Sequence, residues 1–148
     1  MTIRPLLALM ALLTTSTVSA EMRMFEDYEF SDTVVSMTTV KVDSGKGEQY
    51  LEGLKTTWVE SNEVAKDLGQ IENYSIHVSH LPDSGEFNVV LLIWFKSLGE
   101  YAPDKAKYDA FMKRWSKKRE ADNKEIAKSY PELREITGEY LLSEVEFK

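Results

Sequence analysis

Residues 87–96 read FNVVLLIWFK. In an extended chain Phe87, Val89, Leu91, Ile93 and Phe95 fall on one side and Val90, Leu92 and Trp94 on the other, so both faces are apolar. The turn residues Pro82-Asp83-Ser84-Gly85 precede the run. It reads as the central strand of a sheet.

The neighbours of this strand follow from changes of period. Ile71 to Leu81 alternates, with Tyr74, Ile76 and Val78 on one side and Ser75, His77 and Ser79 on the other, as an edge strand can. Val34 to Val42 is rich in β-branched residues and ends at Asp43-Ser44-Gly45-Lys46-Gly47. Between them, Glu48 to Leu68 has helical spacing, with Leu51, Leu54, Trp58, Ala65 and Leu68 on one face and Gly69 as the stop. A second helix is expected after Pro103-Asp104, with an apolar stripe of Tyr108, Phe111, Met112, Trp115 and Ile126, ending before Pro131. Ile136 to Phe147 is the last strand, with a bulge or kink near Gly138.

The order is β-α-β-β-α-β, the ferredoxin-like arrangement of the α+β class. It implies a four-stranded antiparallel sheet with two helices on one face and strands 1 and 3 central. Strands 1 and 3 are expected to share a direction, so that both helices finish at one end. Helices on one face leave Val90, Leu92 and Trp94 uncovered beside the apolar residues of strand 1. Monomers seldom expose so large a patch, so a homodimer packed sheet to sheet is expected.

Composition bounds the rest. The chain has 148 residues, 43% of them apolar, with 18 Lys+Arg against 25 Asp+Glu. That is enough for one globular domain and too ordered a composition for a disordered chain. With no cysteine there is no disulfide, thiolate nucleophile, cysteine zinc site or iron–sulfur cluster. Residues 1–20, MTIRPLLALMALLTTSTVSA, combine Arg4, an apolar run from Leu6 to Leu13 and small residues at Val18-Ser19-Ala20. These are the marks of a secretory signal peptide cut before Glu21, and the run is too short for stable membrane insertion. Residues 21–33 form an N-terminal lead-in and 34–148 the folded domain. The expected location is periplasmic or secreted.

The stretches VKVDSGKGEQYLEGLKTTW (40–58) and SGEFNVVLLIWFKS (84–97), in this order of elements, resemble the dimeric α/β-barrel superfamily. The resemblance covers about residues 34–147. It implies ferredoxin-like protomers whose sheets pack into a barrel. The superfamily includes cofactor-independent monooxygenases, haem-handling enzymes, lactone isomerases and ligand-sensing modules. None of their catalytic sets maps onto this chain; the haem-degrading members use a helix-borne His, whereas both histidines here, His77 and His80, fall on strand 2.

Signatures of other chemistry are absent. There is no GxGxxG, P-loop, HExxH or GxSxG. His77 and His80 point to opposite faces of a strand, so no metal site is expected there. Asn73-Tyr74-Ser75 matches a glycosylation acceptor, a tripeptide common by chance. Seven basic residues and one acid lie between 105 and 119, including Lys113, Arg114, Lys117, Lys118 and Arg119. In an acidic chain this is a solvated helix face before it is a nucleic-acid site, and no nucleic-acid partner is expected.

Polar residues on the apolar stripes are more informative. At 100° per residue, Ser61 falls near the middle of helix 1's buried face and Asn62 on its flank, one turn after Trp58. Arg119 and Asp122 project with Tyr108, Trp115 and Ile126. With His80 placed at the same end, these residues would line one mouth between helices and sheet. Trp58, Ser61, Asn62, Trp115 and Arg119 are the candidate ligand-binding residues, and His80 with Asp122 the candidate acid–base pair. The plainer alternative has Ser61 returning its hydroxyl to a backbone carbonyl, Arg119 and Asp122 as an exposed pair, and His80 as an ordinary strand-end residue.

The reading is an exported protein that binds a small apolar or anionic ligand and needs no cofactor. A cofactor-independent monooxygenase- or isomerase-like enzyme and a non-catalytic dimeric interaction module are the alternatives.

Overall fold

The computed structural model describes residues 21–83 and 85–148, so the expected signal peptide at 1–20 lies outside the described residues. Strand β1 spans Tyr28–Val42, followed by helix α1 (Gly47–Leu54), a π-helical turn (Lys55–Val59) and α2 (Glu60–Asp67). Then come β2 (Asn73–Val78), β3 (Val89–Phe95), the short α3 (Leu98–Tyr101), α4 (Lys105–Trp115) and α5 (Lys117–Ala127). A 3-10 turn (Tyr130–Glu132) leads into β4 (Arg134–Phe147). The four strands form one antiparallel sheet in the order β2-β3-β1-β4. The fold is ferredoxin-like.

Side-chain parity fixes which face the helices cover. Val40 and Val42 of β1, Val89 and Leu91 of β3, Tyr50 and Leu54 of α1, and Tyr130 and Leu133 make one buried cluster, with Trp58, Ile76 and Ile126 packed against it. Asn88 closes the end of this core. Its buried amide accepts from Val42 N at 2.8 Å and donates to Val42 O at 2.8 Å, joining β1 to the start of β3.

Four expectations change. Strands β1 and β3 run antiparallel, Val34 facing Phe95 and Val40 facing Val89, and do not share a direction. The reason is topological: β1 and β2 are joined by a crossover and β3 is inserted between them, so β3 must oppose both. The helices therefore leave the sheet from opposite ends.

Helix 1 is not one continuous α-helix. At the π turn Glu60 N bonds back to Lys55 O, and the extra residue rotates everything after it. Ahead of that turn, Leu51, expected inside, is exposed and Tyr50 is buried. Helix 2 breaks at Ser116, whose φ is 72°, and Ser116 Oγ caps α5 by accepting from Arg119 N. The break resets the helical phase of α5 relative to the buried Trp115; Tyr108, ahead of the break on α4, is 60% exposed.

Finally, β1 begins at Tyr28, inside the expected lead-in. Tyr28–Phe30 pair with Val145–Phe147 as a two-stranded ribbon beyond the end of β3. The expected irregularity near Gly138 is present: the register shifts where Thr39 faces Gly138 and Val40 faces Ile136, bulging Thr137.

Candidate functional site

The structure brings together some of the residues singled out by sequence and separates others. The π turn leaves the carbonyl of Trp58 with spare capacity, and it accepts from Ser61 Oγ at 2.9 Å and Asn62 Nδ2 at 2.8 Å. Asn62 is the buried residue of the two, the reverse of the uniform-helix expectation, because the extra residue turns it inward. Ser61 thus makes the backbone bond of the plainer alternative. The Trp58 ring meets Tyr74 edge-on at 5.4 Å, and the Tyr74 hydroxyl donates to Glu63. Burial first, and then that carboxylate, push the Tyr74 phenol up to about 12.

Arg119 reaches the same end of the molecule by another route. Its guanidinium lies 5.4 Å over the Trp115 ring and 3.9 Å from Glu60, with about half of each charged side chain exposed. Trp115 is buried and stacked on Phe111 at 5.7 Å. Asp122 is exposed on α5, beyond the break at Ser116 that separates its phase from the Trp115 stripe.

His80 does not join this group. β2 ends at Val78 and His80 is exposed in the turn that follows, at the end of the sheet where Lys41 Nζ bonds Pro82 O and Gly85 O. Trp58 and Lys66, by contrast, contact Tyr74 and Asn73 at the start of β2. His80 lies six residues beyond Tyr74, the contact of Trp58, an extended span of up to about 20 Å. The expected mouth holding all five polar residues is therefore not formed, because it depended on both helices finishing at one end. Among the described residues, no three or more His, Asp or Glu side chains are grouped to hold a metal ion.

The sheet face turned away from the helices, expected from sequence as the dimer surface, also carries a polar pair that the sequence-predicted site did not include. Its register stacks three cross-strand rows: His77, Val90, Thr39 and Gly138; Ser75, Leu92, Met37 and Tyr140; Asn73, Trp94, Val35 and Leu142. None of these residues is Lys, Arg, Asp or Glu, in a chain where those types make up 29%. At the β2 edge of the face, Ser75 Oγ and His77 Nε2 share a hydrogen bond of 2.8 Å. The i, i+2 spacing of Ser75 and His77 already placed them on one face of strand 2; their neighbours needed the register.

No protein-family model and no curated protein matches this sequence. Similar chains are found among solved structures. HapK from Hahella chejuensis is 13% identical, with 75% of this chain and 91% of that one covered and a TM-score of 0.44. A protein from Shewanella oneidensis is 16% identical, covering 81% and 99%, also at 0.44. A third, described as a dimeric ferredoxin-like protein of unknown function from Thermobifida fusca, is 7% identical over 77% and 91%, at 0.38.

Proposed function

We propose that this protein is an exported homodimer of dimeric α/β-barrel type that binds a small, largely apolar ligand, its two protomers meeting through the sheet face opposite the helices. One observation carries the reading: the three rows of that face contain no charged residue and, Thr39 apart, are apolar across β1 and β3. A chain with a net charge of −7 can bring a second copy against such a face without opposing like charges there. Four strands and three rows give a flat footprint of about 400 Å² per copy, before standing side chains add relief. Specific complexes use about 800 Å² per partner, so the face supplies the core of an interface. Export rests on the signal-like sequence of residues 1–20. No helix among the described residues is long and apolar enough to cross a membrane.

Trp94 stands in the third row, opposite Val35. Trp94→Glu puts an unpaired charge into each half of the interface, where desolvation is costly. Sedimentation velocity is expected to show a wild-type dimer and a Trp94→Glu monomer or aggregate. A wild-type monomer, or an unchanged dimer in the variant, refutes the reading.

A further inference from the structure

We infer that Ser75 and His77 form the hydrogen-bonding corner of a ligand site on the open sheet face, completed by the sheet of the second copy, for a flat apolar molecule carrying one hydroxyl group. This rests on the homodimer proposed above. Packed sheets lie about 10 Å apart, and large side chains from both inner faces fill that gap. Leu92, Trp94 and Met37 supply bulk along β3 and β1. At the β2 edge the face instead presents the small Ser75 beside Leu92 and His77 beside Val90. A space left there under the partner's sheet would be walled by Val90 and Leu92 and edged by the Ser75–His77 pair, with Asn73 and Thr39 as its polar neighbours, a composition small-molecule sites use.

The pair is arranged to receive a hydroxyl. Ser75 Oγ holds His77 Nε2 at 2.8 Å, which fixes the imidazole against the strand. Among the described residues no other side chain bonds that ring, so its Nδ1 is available to a ligand. The ring can act as donor or acceptor toward a hydroxyl, according to its tautomer. Without the partner sheet the corner is open to water, where such a bond exchanges evenly with solvent. Under the partner's apolar side chains the same bond discriminates, because a buried imidazole nitrogen left unpaired is costly.

Phenol and toluene test this, since they differ by a hydroxyl in place of a methyl group. Calorimetric titration of the full chain is expected to show phenol binding about tenfold more tightly than toluene, the worth of one buried hydrogen bond. His77→Phe, on an edge strand where the fold tolerates it, should abolish that preference while retaining toluene. Equal binding of the two compounds by the wild-type dimer, no binding of either, or a preference that survives His77→Phe overturns the inference. A preference that persists in monomeric Trp94→Glu also overturns it, because the partner sheet would not be needed. Sedimentation of the same samples separates the two proposals. A wild-type dimer with no phenol preference ends this one alone, and a wild-type monomer ends both.

Discussion

Gly53→Ala tests whether the helical layer is held by the close approach of one ring. Gly53 lies inside α1, where alanine normally stabilises a helix by up to about 1 kcal/mol. Here a Cβ would stand 2.9 Å from Tyr130 Cε1 and 3.0 Å from its hydroxyl oxygen. The ring has little room to retreat. Tyr130 is buried, its hydroxyl shares a 2.6 Å hydrogen bond with Thr57 Oγ1, and it packs edge-on against Tyr50 at 5.4 Å. Arg134 lies over it at 5.6 Å. Overpacking costs about 1–3 kcal/mol, and displacing the ring puts the Thr57 bond, worth about 1 kcal/mol, at risk. Against the propensity gain, the expected net effect is a loss of about 1–2 kcal/mol. Urea denaturation of Gly53→Ala should show it, read as a shift in midpoint at constant slope. In a Tyr130→Leu background the penalty should vanish, since the clash goes with the ring. A Gly53→Ala protein more stable than wild type, by the amount helix propensity alone predicts, would refute the reasoning.

Two further outcomes are expected. Asn88→Ala strips partners from the buried N–H and C=O of Val42, and at about 1–3 kcal/mol for each orphaned group the loss should be about 2–6 kcal/mol in urea denaturation; a change within 0.5 kcal/mol, the usual range for surface substitutions, would contradict the bridge. Tyr74 should titrate above its ordinary value of 10, seen as the tyrosinate absorbance missing from Tyr74→Phe, and Glu63→Gln should lower it. Because the folded chain holds this proton more tightly than the unfolded chain, its contribution to stability is complete below about pH 10 and lost as pH rises toward 12.

Much of the fold was legible in local pattern. Two-residue alternation marked the double-sided β3 and the one-sided β2, and the same parity assigns Val89 and Leu91 to the core and Val90 and Trp94 to the open face. The bulge by Gly138 and the backbone bond of Ser61 were equally local matters. The antiparallel run of β1 and β3 was also available, from the order of the elements. Helix 1 ends where β2 begins, so His80, beyond the far end of β2, lies away from the Ser61–Asn62 turn.

Other features belonged to the tertiary structure. A helical wheel assumes one uninterrupted rotation, and a single backbone event resets it. The π turn after Leu54 and the positive φ at Ser116 each did so, the first carrying Asn62 inward and the second separating Asp122 from the Trp115 stripe. Neither event has a strong signature in its own residues. Thr56, Thr57 and Val59 only weaken the helix, and the ring of Tyr130, 73 residues away from Thr57, supplies a hydroxyl partner within the π turn. Sequence alone determined which residues alternate and in what order the strands and helices come, because those depend on neighbours along the chain. Which polar residues meet was decided only by packing, because it depends on the phase and direction of elements whose contacts are remote in sequence.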